Sequence, residues 1–395
     1  MTRRSAPPIG ALLASKEMLL VVGSGGVGKT TTAAALALSA AVESGGRVLV
    51  VTIDPARRLA DALGTGGLRN EPTRVPSESL AAMGVEVRGE LWAAMLDTRL
   101  GWDELVRRHA PDRRTRDAVL ANPLYQNLTG RFVHSHDYLA MERLHELHSS
   151  GEWDLIVVDT PPSRNALTFL DAPRRMREFF GSKLLAWLTV PYRSRLVTLA
   201  SRPFFQIADR ILGSRFLQDI AEFFVLFRSM ERPFVEHARE VERLLADPRT
   251  SFVVVTTLEA APSHEAMYLV RELETRRYPL GAMIANRVLP ASFTSKASTT
   301  SARKLGRACR ADVDGDLDAG LAVEVAGRLG ADTDVVRSVL ETLADGFHES
   351  SLVATREAER AGELGAICPT LVTAPMLDRD VNDLTDLLEL SQGWS

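Results

Sequence analysis

The segment Gly23-Ser24-Gly25-Gly26-Val27-Gly28-Lys29-Thr30, followed by Thr31, constrains this chain more than any other. It fits the pattern of a glycine, four free positions, then Gly-Lys-Thr. An apolar, strand-like run at 18–22 precedes it, and the helix-forming run 33–38 follows. Strand, glycine loop and helix together are the context of a P-loop. Glycines allow backbone N–H groups to turn inward around a phosphate, and the helix N-terminus adds its positive dipole end. In that arrangement Gly23, Ser24, Gly25, Gly26, Val27, Gly28, Lys29, Thr30 and Thr31 line a nucleotide phosphate site. Lys29 holds the β- and γ-phosphates, and Thr30 is a Mg²⁺ ligand.

The remaining chain is read around this loop. Apolar runs at 46–54, 85–93, 154–159, 251–257, 282–288 and 366–373 have the length of buried strands, and helical patterns separate them. Such alternation predicts an α/β fold with a mostly parallel sheet flanked by helices. We read one P-loop domain over residues 1–395, with an inserted helical subdomain built from excursions at about 98–149, 173–247 and 291–363. Ligands of such sheets sit at the carboxyl ends of the strands. Asp54, Asp159, Asn286 and Asp378 all fall at such ends.

Asp159 closes a buried strand before two prolines, the position of a Walker B carboxylate close to Mg²⁺, directly or through a water. Asp54 precedes Pro55. It is either an Asp-Pro turn or a carboxylate that orients an attacking water, and spacing alone leaves both open. His145 and His148 share a helix face near His134 and His136, but further ligands are not evident, so a polar helix face is the reading. Asp312 to Asp316 lacks the glycine of a calcium loop. Phe204 to Met230 is apolar on nearly every side. Phe204, Ile207, Ile211, Leu217, Ile220, Phe224 and Phe227 either pack inside a helical subdomain or line a groove for a hydrophobic client.

Composition narrows the classes. A net charge of −4 over 395 residues gives no reason to expect a nucleic-acid partner. Two cysteines, Cys309 and Cys368, make neither a disulfide framework nor a cysteine-rich metal site, which suits a cytoplasmic protein. The N-terminus carries no apolar leader, and no run suffices to span a membrane.

With the P-loop, Thr52-Ile53-Asp54-Pro55-Ala56-Arg57 and Asp159-Thr160-Pro161-Pro162 in hand, the chain resembles the ArsA/GET group of arsenite-pump and tail-anchored-protein-targeting ATPases. The resemblance implies Mg²⁺-dependent ATP hydrolysis by a homodimer, with Asp54 positioning the water. It also implies that Asn286 contacts adenine and that Pro375 to Asp378 border the base. Nucleotide state is then coupled to a membrane-protein client or a transporter, from the cytoplasm or peripherally at the membrane.

Three departures stand out. Ser24 replaces the lysine that reaches a partner's phosphates, so Arg57, Arg58 or Arg164 is the candidate cation supplied in trans, unless these form surface ion pairs. Ser163-Arg164-Asn165 replaces Thr-Gly-His. No cysteine trio exists for metalloid activation, and none is expected. The alternative reading is a weakly hydrolysing regulatory subunit in a heterodimer with a paralogue.

Overall fold

The computed structural model describes residues 9–53, 58–96, 103, 106–108, 110–122, 125, 135–180, 231–310, 320–368 and 370–394. Eight strands make one sheet: β1 Met18–Gly23, β2 Arg47–Thr52, β3 Thr73–Arg74, β4 Glu90–Met95, β5 Leu155–Asp159, β6 Thr250–Thr257, β7 Leu280–Val288 and β8 Leu371–Pro375. Their order is β3-β4-β2-β5-β1-β6-β7-β8. Every neighbouring pair is parallel except β3 with β4. β1, β5 and β6 are buried along their whole length, as strands covered on both faces must be.

The helices are α1 Ile9–Ser15, α2 Lys29–Glu43, α3 Arg58–Ala62, α4 Ser77–Ala81, α5 Arg113–Ala121, α6 Ser135–Ser149, α7 Ser163–Leu170 and α8 Ala172–Phe180. They continue with α9 Glu231–Ala246, α10 Ala260–Arg276, α11 Lys296–Arg310, α12 Gly320–Leu329, α13 Thr333–Ile367 and α14 Leu384–Gln392. Alternation along β1 divides the core. Leu19 and Val21 pack with α1, α2 and α14 on one face of the sheet. Met18, Leu20 and Val22 pack with α6, α9, α10 and the end of α13 on the other. A third cluster, with Val119, Tyr138, Phe234 and Ala238, joins α5, α6 and α9 beyond the sheet.

Three strands differ from the sequence expectation, the first being the two-residue β3, which no apolar run announces. Residues 85–89 do not join the sheet. Val85 and Val87 pack against the core from a loop, and β4 begins only at Glu90. Gly89 sets that boundary, because its backbone lies against the turn after α2. A Cβ there would fall 2.4 Å from the Gly46 carbonyl and 2.6 Å from that of Ser44. The final strand starts at Leu371 instead of 366, because α13 continues to Ile367. Leu364 faces the core from the last turn of that helix, buried Cys368 follows it in extended conformation, and a proline at 369 disfavours helix at the residue before it.

Gly89→Ala is expected to lower stability by about 1–3 kcal/mol, the usual cost of forcing atoms into a packed site. Gly45→Ala, where an added Cβ meets nothing within 4 Å, is expected to stay within about 0.5 kcal/mol of the parent, as open surface sites do. Urea unfolding of the two variants checks the contrast, and equal stabilities would refute it.

Candidate functional site

β1 delivers the glycine loop to the middle of the sheet's carboxyl edge, between β5 and β6. Gly26 and Gly28 have φ of 82° and 94°, a conformation that strains residues with a Cβ. Gly28 is the N-cap of α2 and contributes no side-chain cap, and the first turn carries no acid. The leading amides of α2 are therefore left to an anion. Gly23 passes so close to β6 that a Cβ would fall 2.2 Å from the Val255 carbonyl. Lys29 is buried, and its Nζ donates to the Ser24 carbonyl at 2.8 Å across the loop. Ser24 is buried too, and its Oγ has no hydrogen-bond partner among the described residues.

Asp159 is brought to the loop as its position at the end of β5 suggests. Its Oδ2 accepts the Thr30 hydroxyl at 2.7 Å. The same oxygen accepts the Thr52 hydroxyl at 3.0 Å, from the end of β2. Sequence reasoning missed Thr52. Its signal is its position two residues before Asp54 on a strand paired with β5, where the register sets Thr52 opposite Asp159. Thr160 donates its hydroxyl to the Val21 carbonyl at 2.8 Å and so pins the segment after Asp159 to β1. Among the described residues, the groups that meet at Asp159 beside the loop are a carboxylate and hydroxyls, which fit Mg²⁺ better than a softer metal.

Asn286 lies near the end of β7, is buried, and reaches under the loop. Its Nδ2 donates to the Val27 carbonyl at 2.9 Å, and its Oδ1 accepts from the Arg287 N–H at 3.0 Å. A Cβ on Gly28 would fall 2.3 Å from that Nδ2. Asn286 thus shapes the loop directly, a contact the sequence did not suggest. Pro375 ends β8 opposite Val288, and Asp378 is exposed beyond it. Pro375, Thr373 and Glu357 of α13 help line a cavity of about 300 Å³ beside these strand ends. Asp54 and Arg57 lie outside the described residues, as do the side chains of Arg58 and Arg164. Phe204, Ile207, Ile211, Leu217, Ile220, Phe224 and Phe227 lie outside them as well.

Gly28→Ala is expected to abolish nucleotide binding while leaving the fold intact. Asn286→Ala, which strips the buried Val27 carbonyl of its donor, is expected to weaken binding by about 1–3 kcal/mol, roughly five- to 150-fold. Titration with a fluorescent ATP analogue checks both, and unchanged affinity in either would refute the assigned contact.

A family model described as anion-transporting ATPase matches residues 16–312. The chain is similar to the ATPase BagA of Mycobacterium tuberculosis, at 26% identity over 96% of this chain and 93% of the relative. It is similar to the ATPase get3 of Schizosaccharomyces pombe, at 26% identity over 74% of this chain and 79% of that protein. A putative arsenical pump-driving ATPase of Aquifex aeolicus is 26% identical over 68% of this chain and 79% of its own. The family match spans the glycine loop, Asp159 and Asn286 alike, and the chain belongs to the ArsA family of ATPases.

Proposed function

We propose that this chain, acting as one P-loop domain, hydrolyses ATP with Mg²⁺ and couples the nucleotide state to a membrane-protein segment or a transporter. The observation that carries the reading is the 2.7 Å contact of Thr30 with Asp159 beside a left-handed glycine loop. Lys29 and the loop amides hold the phosphates. Thr30 and Asp159 would hold Mg²⁺, Asp159 directly or through a water, and the bound ion would neutralise charge developing on the phosphate oxygens. Asp54 orients the attacking water and takes its proton. Asn286 fixes the loop and, with Pro375 to Asp378, borders the base.

Among the described residues no helix is long and apolar enough to cross a membrane. That suits a cytoplasmic protein that meets its client or transporter peripherally, with the segment around Phe204 to Phe227 lining the groove. Metalloid activation is not part of this reading. Cys368 is buried, and burial pushes its thiol pKa up, away from the thiolate that a soft ion requires.

Asp54→Asn keeps the shape and removes the carboxylate. Steady-state turnover is expected to fall about 10²–10⁴-fold, the range for loss of a general base, with MgATP binding retained. Undiminished turnover would overturn the role of Asp54.

Ser24 decides between the dimer readings. Its hydroxyl brings no charge, whereas a cation in trans is worth about 10³–10⁵ in the rate of phosphoryl transfer. In a homodimer that draws this cation from Arg57, Arg58 or Arg164, specific activity is expected to rise with protein concentration. Alanine at the contributing arginine is expected to remove that rise. Tight MgATP binding with negligible activity at every concentration would favour the regulatory subunit that pairs with a paralogue.

A further inference from the structure

On the sheet face opposite α2, two short patterns meet. α6 carries Glu142 and His145 three residues apart, and α9 carries His237 and Glu240 three apart. Residues at that spacing share a helix face. The two helices lead into β5 and β6, the strands on either side of β1, and pack side by side. The imidazoles of His145 and His237 meet edge to face, with ring centroids 6.0 Å apart. One ligand atom from each of His145, His237 and Glu240 lies within 4.8 Å of the others.

The surrounding groups sharpen the arrangement. Glu142 is almost fully buried, and its Oε1 stands 3.1 Å from Nδ1 of His237. Its Oε2 accepts the Tyr138 hydroxyl at 3.3 Å. Glu240 Oε2 lies 3.8 Å from the same His237 nitrogen, and its side chain is 45% exposed. The 3.1 Å contact with Glu142 engages His237 and not His145. The polar contact recorded for the His145 ring is a long one, 3.5 Å, to the Ser149 hydroxyl.

We propose that His145, His237 and Glu240 bind a divalent cation of the zinc class, with buried Glu142 close beside His237. Glu/His pairs at i, i+3 on facing helices also supply metal ligands in di-iron helical bundles. Two imidazoles and a carboxylate select zinc, cobalt, nickel or copper over magnesium and calcium. Bonds of about 2.0–2.2 Å set neighbouring ligands about 3.4 Å apart, so closure draws the three groups inward by roughly 1 Å. The exposed Glu240 side chain has the freedom to supply most of that movement. A bound ion would tie α6 to α9, and so tie together the helices that return the chain to β5 and β6. The site is chemically distinct from the all-oxygen set of Thr30 and Asp159.

The test uses the full chain, chelator-stripped and free of nucleotide, titrated with Co²⁺ and with Zn²⁺. One ion per chain is expected to bind, with visible Co²⁺ d–d bands and no thiolate charge-transfer band. Zn²⁺ is expected to raise the thermal midpoint. His145→Gln is expected to abolish stoichiometric binding, and Glu240→Gln, at a half-exposed position, to weaken it at least tenfold. Failure of the parent to bind one ion would overturn the proposal. So would binding that is unchanged in both variants, or a thiolate band that assigns the ion to cysteine.

Discussion

One buried carboxylate oxygen sets the geometry on which the site depends. Oδ2 of Asp159 accepts hydroxyls from both Thr30 and Thr52. A carboxylate 1% exposed at the centre of an apolar sheet is costly unless such donors surround it. Meeting that demand fixes the first turn of α2 against β5 and holds the end of β2 alongside. The loop is braced from its other side by different means. Gly23 rests against the Val255 backbone, and Asn286 of β7 holds the Val27 carbonyl. Five elements therefore converge on a few residues of loop. Phosphate would meet amides that are already arranged, so little reorganisation accompanies binding.

Much of this was legible in the chain, for physical reasons. The glycine positions, Lys29, Thr30 and the strand-end Asp159 announce themselves because a phosphate cradle tolerates few other residue types there. Thr52 did not, since threonine is common in strands, and only the register between β2 and β5 shows what it faces. Asn286 stands out by its strand-end position, to which the resemblance adds a base contact; its amide beneath Gly28 joins residues far apart in sequence and needed the structure. The strand limits near Gly89 and Pro369 depended on a close backbone approach and on a helix outlasting its own apolar signal. His145 read as a polar helix residue for a similar reason. Its partners, His237 and Glu240, arrive from a helix that follows β5 in the chain, about 90 residues on, and no local pattern links them.

The described elements also distribute rigidity unevenly. The sheet buries β1, β5 and β6 along their whole length and β2 nearly so, while α11 and α12 meet the rest of the chain mainly through α13. α13 is 35 residues long and enters the core near Leu364 and Cys368. Its opposite end exposes Val335, Val339 and Leu343, spaced four apart along one side.

Such a helix is a lever. At 1.5 Å per residue it reaches about 50 Å, so a tilt of about 10° at the end seated beside β7 and β8 sweeps the far end through roughly 9 Å. Adjustments at the strand ends too small to disturb the packing around Leu364 would thus arrive at Val335 magnified to the width of a helix.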